Sequence, residues 1–112
     1  MGREWEVWGT VLRCVDGDTF DMDRDLGFGI WLQRRRLRLA HADTPERGSV
    51  EGKEAKEYVR SLIEGKTLRV RSHSLDKYGR VLGSVVLDDG RSLADVLISE
   101  GKAKPYEGGR RT

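Results

Sequence analysis

Apolar and polar positions alternate with period two from the start of the chain. Trp5, Val7, Val11 and Val15 fall on one parity, and Trp8, Leu12 and Cys14 on the other. This predicts a strand covered on both faces for part of its length. Asp16-Gly17-Asp18 is a turn signal, and Thr19 to Asp23 restarts a strand with Phe20 and Met22 on one face. Asp25 to Gly29 reads as a loop whose Leu26 and Phe28 fold back onto the body. Ile30 to Ala42 reads as one long strand. Within it Arg36 and Arg38 alternate with Leu37 and Leu39, giving one basic face and one apolar face. Pro45 lacks an N–H and pushes Thr44 toward extended geometry, so the strand is expected to stop near Asp43.

The period then changes. After a short loop from Gly48 to Gly52, the residues Ala55, Tyr58, Val59, Leu62 and Ile63 have the spacing of one buried helical stripe, with Gly65 placed as its C-terminal cap. Leu68 and Val70 alternate with Arg69 and Arg71 as a further strand. Asp76-Lys77-Tyr78-Gly79 is a turn, Val81 to Leu87 a strand, and Asp89-Gly90 another turn. Ser92, with Asp95 three residues on, has a capping-box pattern and opens a helix carrying Leu93, Val96 and Leu97 that ends at Gly101. No period continues from Lys102. The order β-β-β-α-β-β-α predicts a mainly β member of the α+β class. An OB-fold, a five-stranded antiparallel barrel with one helix between strands three and four and a second after strand five, fits it, as do other small α+β meanders.

Composition sets the scale. A chain of 112 residues suits a single domain over residues 1–112, with a core over about 5–103 and a basic tail over 104–112. The net charge of +2 does not by itself call for a nucleic-acid partner. Its distribution says more. Arg34, Arg35, Arg36 and Arg38 lie together, Lys102, Lys104, Arg110 and Arg111 crowd the end, and acids gather from Asp16 to Asp25. Cations clustered beside acids suit a phosphate site that also holds a metal. Cys14 is the single cysteine, so no internal disulfide forms and a small core residue is expected there. No apolar run reaches membrane-spanning length, and Met1 to Trp5 does not begin a signal peptide. The expectation is therefore no membrane partner, no obligate protein partner, and the cytoplasm by default, with secretion as the alternative if a leader has been removed.

The densest chemistry runs from Arg38 to Glu46. It holds a guanidinium, two carboxylates and a rigid proline turn. Two acids and a main-chain carbonyl at a strand end suit a hard cation, and the cation and Arg38 together suit a phosphate. Alone, the stretch also reads as an edge strand with solvated charges. His41 and His73 form no local zinc pattern. The acids from Asp21 to Asp25 do not open an EF-hand, because Leu26 stands where the loop needs Gly and Leu32 where it needs Glu. Trp5, Trp8 and Trp31 are suited to stacking bases, with core or rim packing as the favoured reading.

Three motifs occur in order: Asp16-Gly17-Asp18-Thr19, the arginine strand ending in Asp43-Thr44-Pro45-Glu46, and Asp76-Lys77-Tyr78-Gly79-Arg80. With the helices between them they resemble the staphylococcal nuclease (thermonuclease) family, over about Val7 to Ala103. The resemblance implies an OB barrel that cleaves DNA and RNA at the P–O5′ bond and leaves 3′-phosphates. It implies that Asp18, Asp43 and the Thr44 carbonyl hold Ca²⁺, that Arg38 and Arg80 grip the scissile phosphate, and that Glu46 is the general base. Lys77 and Tyr78 match a pair that contacts the substrate's terminal phosphate, and Tyr106 lies one position from a tyrosine that contacts the nucleotide. Compared with the best-known member, the loop after Glu46 is shorter and has lost its lysines, while the Asp23 to Gln33 segment is longer and more apolar. The expected activity is Ca²⁺-dependent endonucleolysis of DNA and RNA with little sequence specificity and a preference for single strands. The competing class is a non-catalytic single-stranded nucleic-acid-binding OB module, expected to lack some of Asp18, Arg38, Asp43, Glu46 and Arg80.

Overall fold

A computed structural model describes residues 5–75 and 81–105 of the chain. The strands are β1 (Trp5–Asp16), β2 (Thr19–Gly27), β3 (Ile30–Leu39), β4 (Ala42–Asp43), β5 (Thr67–Leu75), β6 (Val81–Val86) and β7 (Lys104–Pro105); the helices are α1 (Val50–Ile63) and α2 (Leu93–Ser99). Five strands close into a barrel in the order β1-β2-β3-β6-β5, and β4 pairs with β7 in a small separate sheet. The fold is thus the mainly β, OB-like barrel with two helices that the pattern predicts. One seam departs from the antiparallel expectation: β3 and β6 run parallel, pairing Leu37 with Val81 and Leu39 with Gly83. A ring with an odd number of strands cannot alternate direction at every seam, so closure demands one parallel pair.

Alternation along each strand fills the barrel. Val11, Phe20, Met22, Leu37, Leu39, Leu68, Val70 and Val85 point inward and are buried. Val59 and Ile63 of α1 join Leu93 and Leu97 of α2 in the same cluster. The end of α1 is tied to β1 by main-chain bonds, Gly65 N to Val11 O at 2.8 Å and Val11 N to Lys66 O at 2.9 Å. The β1–β2 register slips between Val11 and Arg13, and again between Cys14 and Asp16. Such bulges change which face a side chain takes. They explain why Cys14 is buried while Trp8 and Leu12, read on the same parity, are exposed.

Several local expectations are corrected. β2 continues to Gly27 and meets β3 in a two-residue turn, with positive φ at Phe28 (58°) and Gly29 (77°), the geometry of a tight primed hairpin. Phe28 therefore sits at a hairpin tip, fully exposed, and does not fold back onto the body. Trp8 and Trp31 are about half exposed, so neither is a core residue, and the Arg69 guanidinium lies over the Trp8 ring at 5.9 Å; the side chain of Trp5 lies outside the described residues. The long third strand breaks at Ala40–His41, where His41 adopts φ 70°. α1 begins at Val50, so Gly52 is helical, and Ser49 caps it by accepting from Gly52 N at 2.9 Å. Ser92 precedes α2 but makes no side-chain capping bond. Lys104 and Pro105, assigned to an aperiodic tail, pair with Asp43 and Ala42. The turn expected at 76–79 lies outside the described residues.

Burial pushes the Cys14 thiol up to about 12, with the nearby Glu64 carboxylate adding to the effect. An unfolded cysteine titrates near ~8.5, so above that pH the native state holds the extra proton and stability falls as pH rises toward the folded value. A disulfide-exchange reagent at pH 8 is expected to leave Cys14 unmodified in the native protein and to label it on denaturation. Rapid native labelling would contradict this burial.

Candidate active site

The site forms where two turns meet. The first is Asp16-Gly17-Asp18 between β1 and β2; the second joins β3 to β4 and runs on to Pro45. Asp18 O accepts from Leu39 N at 2.8 Å. The Asp18 carboxylate then crosses to the far side of the second turn. Its Oδ2 accepts from Thr44 N at 3.0 Å and from Thr44 Oγ1 at 2.9 Å, and its Oδ1 accepts from Thr19 Oγ1 at 3.1 Å. The turns approach so closely that a Cβ on Gly17 would meet Thr44 Cγ2 at 2.9 Å. Only a residue without a side chain fits there.

Arg38 lies under this junction. It pairs with Thr19 across β2–β3 and with Leu82 across β3–β6, so two seams fix its backbone. Its side chain is buried, with the residue 8% exposed. Nη1 donates to Leu39 O at 2.6 Å and Ala42 O at 2.9 Å, holding the bend between β3 and β4. Nη2 donates to Asp43 Oδ1 at 3.2 Å and lies 3.7 Å from Asp18 Oδ2. One guanidinium edge therefore faces both carboxylates. Asp43 itself is exposed, and its partner in the small sheet is Lys104.

Glu46 follows Pro45 with an exposed side chain. Its main chain is fixed: the carbonyl accepts from Ser49 N at 3.0 Å and Ser49 Oγ at 2.7 Å. A Cβ on Gly52 would run into that carbonyl, so the glycine in the first turn of α1 is what lets the loop lie on the helix. Asp43, Glu46, Glu51, Lys102 and Lys104 line a cavity of about 390 Å³. Acidic and basic side chains thus line one cavity that shares Asp43 and Thr44 with the Arg38 junction.

The other charges sort differently from the sequence picture. Asp21 pairs with Arg36 at 2.9 Å and lies 3.7 Å from Arg13, while Asp23 and Asp25 accept from the main-chain N–H groups of Arg34 and Gly27. These acids hold the β2–β3 hairpin. Asp16 Oδ1 is shielded from solvent without a hydrogen bond, and Arg47 Nε approaches it at 3.5 Å, an ion-pair distance only. Of the acids from 16 to 25, Asp18 is the one bonded into the junction with Arg38 and Thr44. Arg80, Lys77, Tyr78 and Tyr106 lie outside the described residues. Lys102 and Lys104 were read only as part of a basic end; no local signal places them, because the β4–β7 pairing joins segments far apart in sequence.

Among the described residues, no group of three or more His, Cys, Asp or Glu side chains clusters as a metal cage. The donors at the junction are carboxylates. Among the described residues, Asp18 Oδ2 accepts two hydrogen bonds, Asp18 Oδ1 one and Asp43 Oδ2 none. This hard-oxygen donor set suits an oxygen-seeking cation rather than a thiolate- or imidazole-seeking metal.

A profile of the family described as Staphylococcal nuclease homologue matches residues 36–111. An Escherichia coli protein named Uncharacterized endonuclease is 34% identical over 103 residues, covering 91% of this chain and 63% of that protein. A Shigella flexneri protein named Micrococcal nuclease is 36% identical over 77 residues, 69% of this chain and 41% of its own length. An Arabidopsis thaliana protein named as a staphylococcal-like nuclease is 35% identical over 77 residues, 69% of this chain and 24% of its own. The chain spans less than two thirds of the length of these relatives.

Two substitutions test the geometry. Arg38→Ala removes the donor to two carbonyls beneath the junction and is expected to lower the unfolding free energy by about 1–3 kcal/mol. Unchanged denaturant unfolding would contradict the structural role. Gly52→Ala forces the Glu46 carbonyl away from α1 and is expected to destabilise by about 1–3 kcal/mol, the usual result of overpacking. A Gly52→Ala protein as stable as the parent would show that the loop does not rest on the helix.

Proposed function

The chain belongs to the staphylococcal nuclease homologue family, and on that premise we propose that it hydrolyses phosphodiester bonds of DNA and RNA in a Ca²⁺-dependent reaction, with little sequence preference and single strands favoured. The observation that carries the reading is the convergence of Asp18 and Asp43 on one edge of Arg38, at 3.7 and 3.2 Å. A phosphodiester needs positive charge where negative charge grows, and a carboxylate within reach of an attacking water.

In this reading Asp18, Asp43 and the Thr44 carbonyl hold Ca²⁺. When bound, the ion supplies Lewis-acid polarisation of a phosphate oxygen. Glu46 takes a proton from the attacking water. Its main chain is locked by Ser49 and its carboxylate is exposed beside the cavity, so it reaches solvent and substrate without moving the backbone. Arg38 stabilises the phosphate from its Nη2 edge while Nη1 keeps the bend, and Arg80 supplies the second guanidinium. Water adds to phosphorus, the P–O5′ bond breaks, the 3′-phosphate stays on the upstream fragment, and the 5′-oxygen leaves on the downstream fragment and takes a proton from solvent to become a hydroxyl. Lys77, Tyr78 and Tyr106 contact the substrate away from the broken bond.

Denatured DNA is expected to be digested with Ca²⁺ and spared in excess chelator; equal digestion in both would remove the metal from the account. Glu46→Gln is expected to lower turnover by roughly 10²–10⁴-fold at saturating Ca²⁺. A Gln variant close to the parent would end the general-base assignment. Arg80→Ala is expected to lose roughly 10²–10³-fold. Binding of denatured DNA without cleavage under any metal condition would favour the non-catalytic module instead.

A further inference from the structure

A second concavity, of about 350 Å³, is lined by Arg13, Arg47, Lys56, Arg60, Glu64 and the end of β1 at Cys14–Val15. We propose that it is a second phosphate-binding site, which holds the backbone of a nucleic-acid strand away from the bond being cleaved. This rests on the nucleic-acid reading above.

Four cations line the pocket against one carboxylate. They come from separate places: Arg13 from β1, Arg47 from the loop after Glu46, and Lys56 and Arg60 from one face of α1. The fold, not a local charge run, assembles them. Glu64 is held to the wall, its Oε2 accepting from Cys14 N at 3.1 Å and its Oε1 from Arg60 Nε at 2.8 Å. It fixes Arg60 Nε, while Arg60 Nη1 lies 3.5 Å from Oε2 of Glu57, which is not in the lining. The pairs that Arg13 and Arg47 make with Asp21 and Asp16 are long, 3.7 and 3.5 Å, and each Arg is largely exposed. Half-buried Lys56 makes no ion pair with any described residue. The Cys14 thiol is neutral and adds no negative charge. A pocket with net positive charge and several guanidinium donors suits a tetrahedral anion.

Its location supports a strand rather than an isolated ion. Arg47 follows Glu46 directly, and Val15 leads directly into Asp16-Gly17-Asp18. The pocket and the Asp18–Arg38 junction therefore draw on neighbouring residues of the same two chain segments. A flexible single strand can have one phosphate at the junction and another here. A rim of basic side chains tracking a backbone is how single strands are held without sequence readout.

The test compares the full-length protein with its Lys56→Gln/Arg60→Gln variant in calcium-free buffer, using fluorescent oligothymidylates of about twelve and about four nucleotides. Losing two phosphate contacts on a single strand is expected to reduce the slope of log affinity against log salt by about 1.4, and to weaken binding of the longer strand at least tenfold at low salt. The ratio of long-strand to short-strand affinity is expected to fall. An unchanged ratio, or equal loss for both lengths, would overturn the proposal. Lys56→Gln alone leaves the Arg60–Glu64 pair in place and is expected to lower the salt slope by about 0.7; an unchanged slope would also count against the pocket. Inorganic phosphate is titrated in parallel. Phosphate binding that depends on Lys56 and Arg60, with strand binding equal in parent and variant, would assign the pocket to a free anion and overturn the strand reading. The nuclease reading fails separately, if the parent binds strands in this length-dependent way but never cleaves them.

Discussion

A single buried carboxylate ties the two halves of the site together. Asp18 is 8% exposed, and burying an unpaired carboxylate is costly. Its oxygens are satisfied by Thr19 and by both the main chain and the hydroxyl of Thr44, 26 residues away. The same contacts decide where Asp43, Pro45 and Glu46 can lie. Arg38 closes the arrangement from below, with Nη1 on the carbonyls of the bend and Nη2 on Asp43. Positioning and chemistry thus use the same atoms. A change that weakens the junction is expected to disturb the placement of every group proposed to act there.

The second support is the start of α1. Ser49 caps the helix with its hydroxyl oxygen and donates from the same hydroxyl to the Glu46 carbonyl. Gly52 leaves room for that carbonyl against the helix. The backbone of the Pro45–Ser49 segment is therefore held at both ends, by Thr44 on the barrel side and by Ser49 on the helix side. Preorganisation of this kind lets a carboxylate act without a reorganisation step.

Much of the barrel was legible because it rests on periods. Val11, Phe20, Leu37, Val70 and Val85 follow alternation into the core, and Ala55, Val59 and Ile63 follow a helical stripe. What was not legible depends on long-range partners. The inward turn of Cys14 needs the bulge against β2. Phe28 looked apolar enough to fold back, yet its turn is a two-residue hairpin tip with nothing to pack against. The strand β7 depends on pairing with β4, which no local pattern announces. In the site, the resemblance carried by the three ordered motifs pointed to Asp18, Arg38, Asp43, Thr44 and Glu46 together with Arg80, and the first five lie around two adjoining turns. It could not show that Arg38 is buried and shared with main-chain carbonyls, because charge in a sequence carries no record of depth.

Asp18 closes the turn with the carboxylate that is proposed to equip the site. Thermal unfolding of Asp18→Asn, with and without millimolar Ca²⁺, tests it most directly. A ligand that binds the native state alone raises its stability. The parent is predicted to melt higher with Ca²⁺, and the Asn variant to melt lower than the parent and show no Ca²⁺ shift. An Asn variant that melts with the parent and keeps the same Ca²⁺ shift would contradict both halves of the claim.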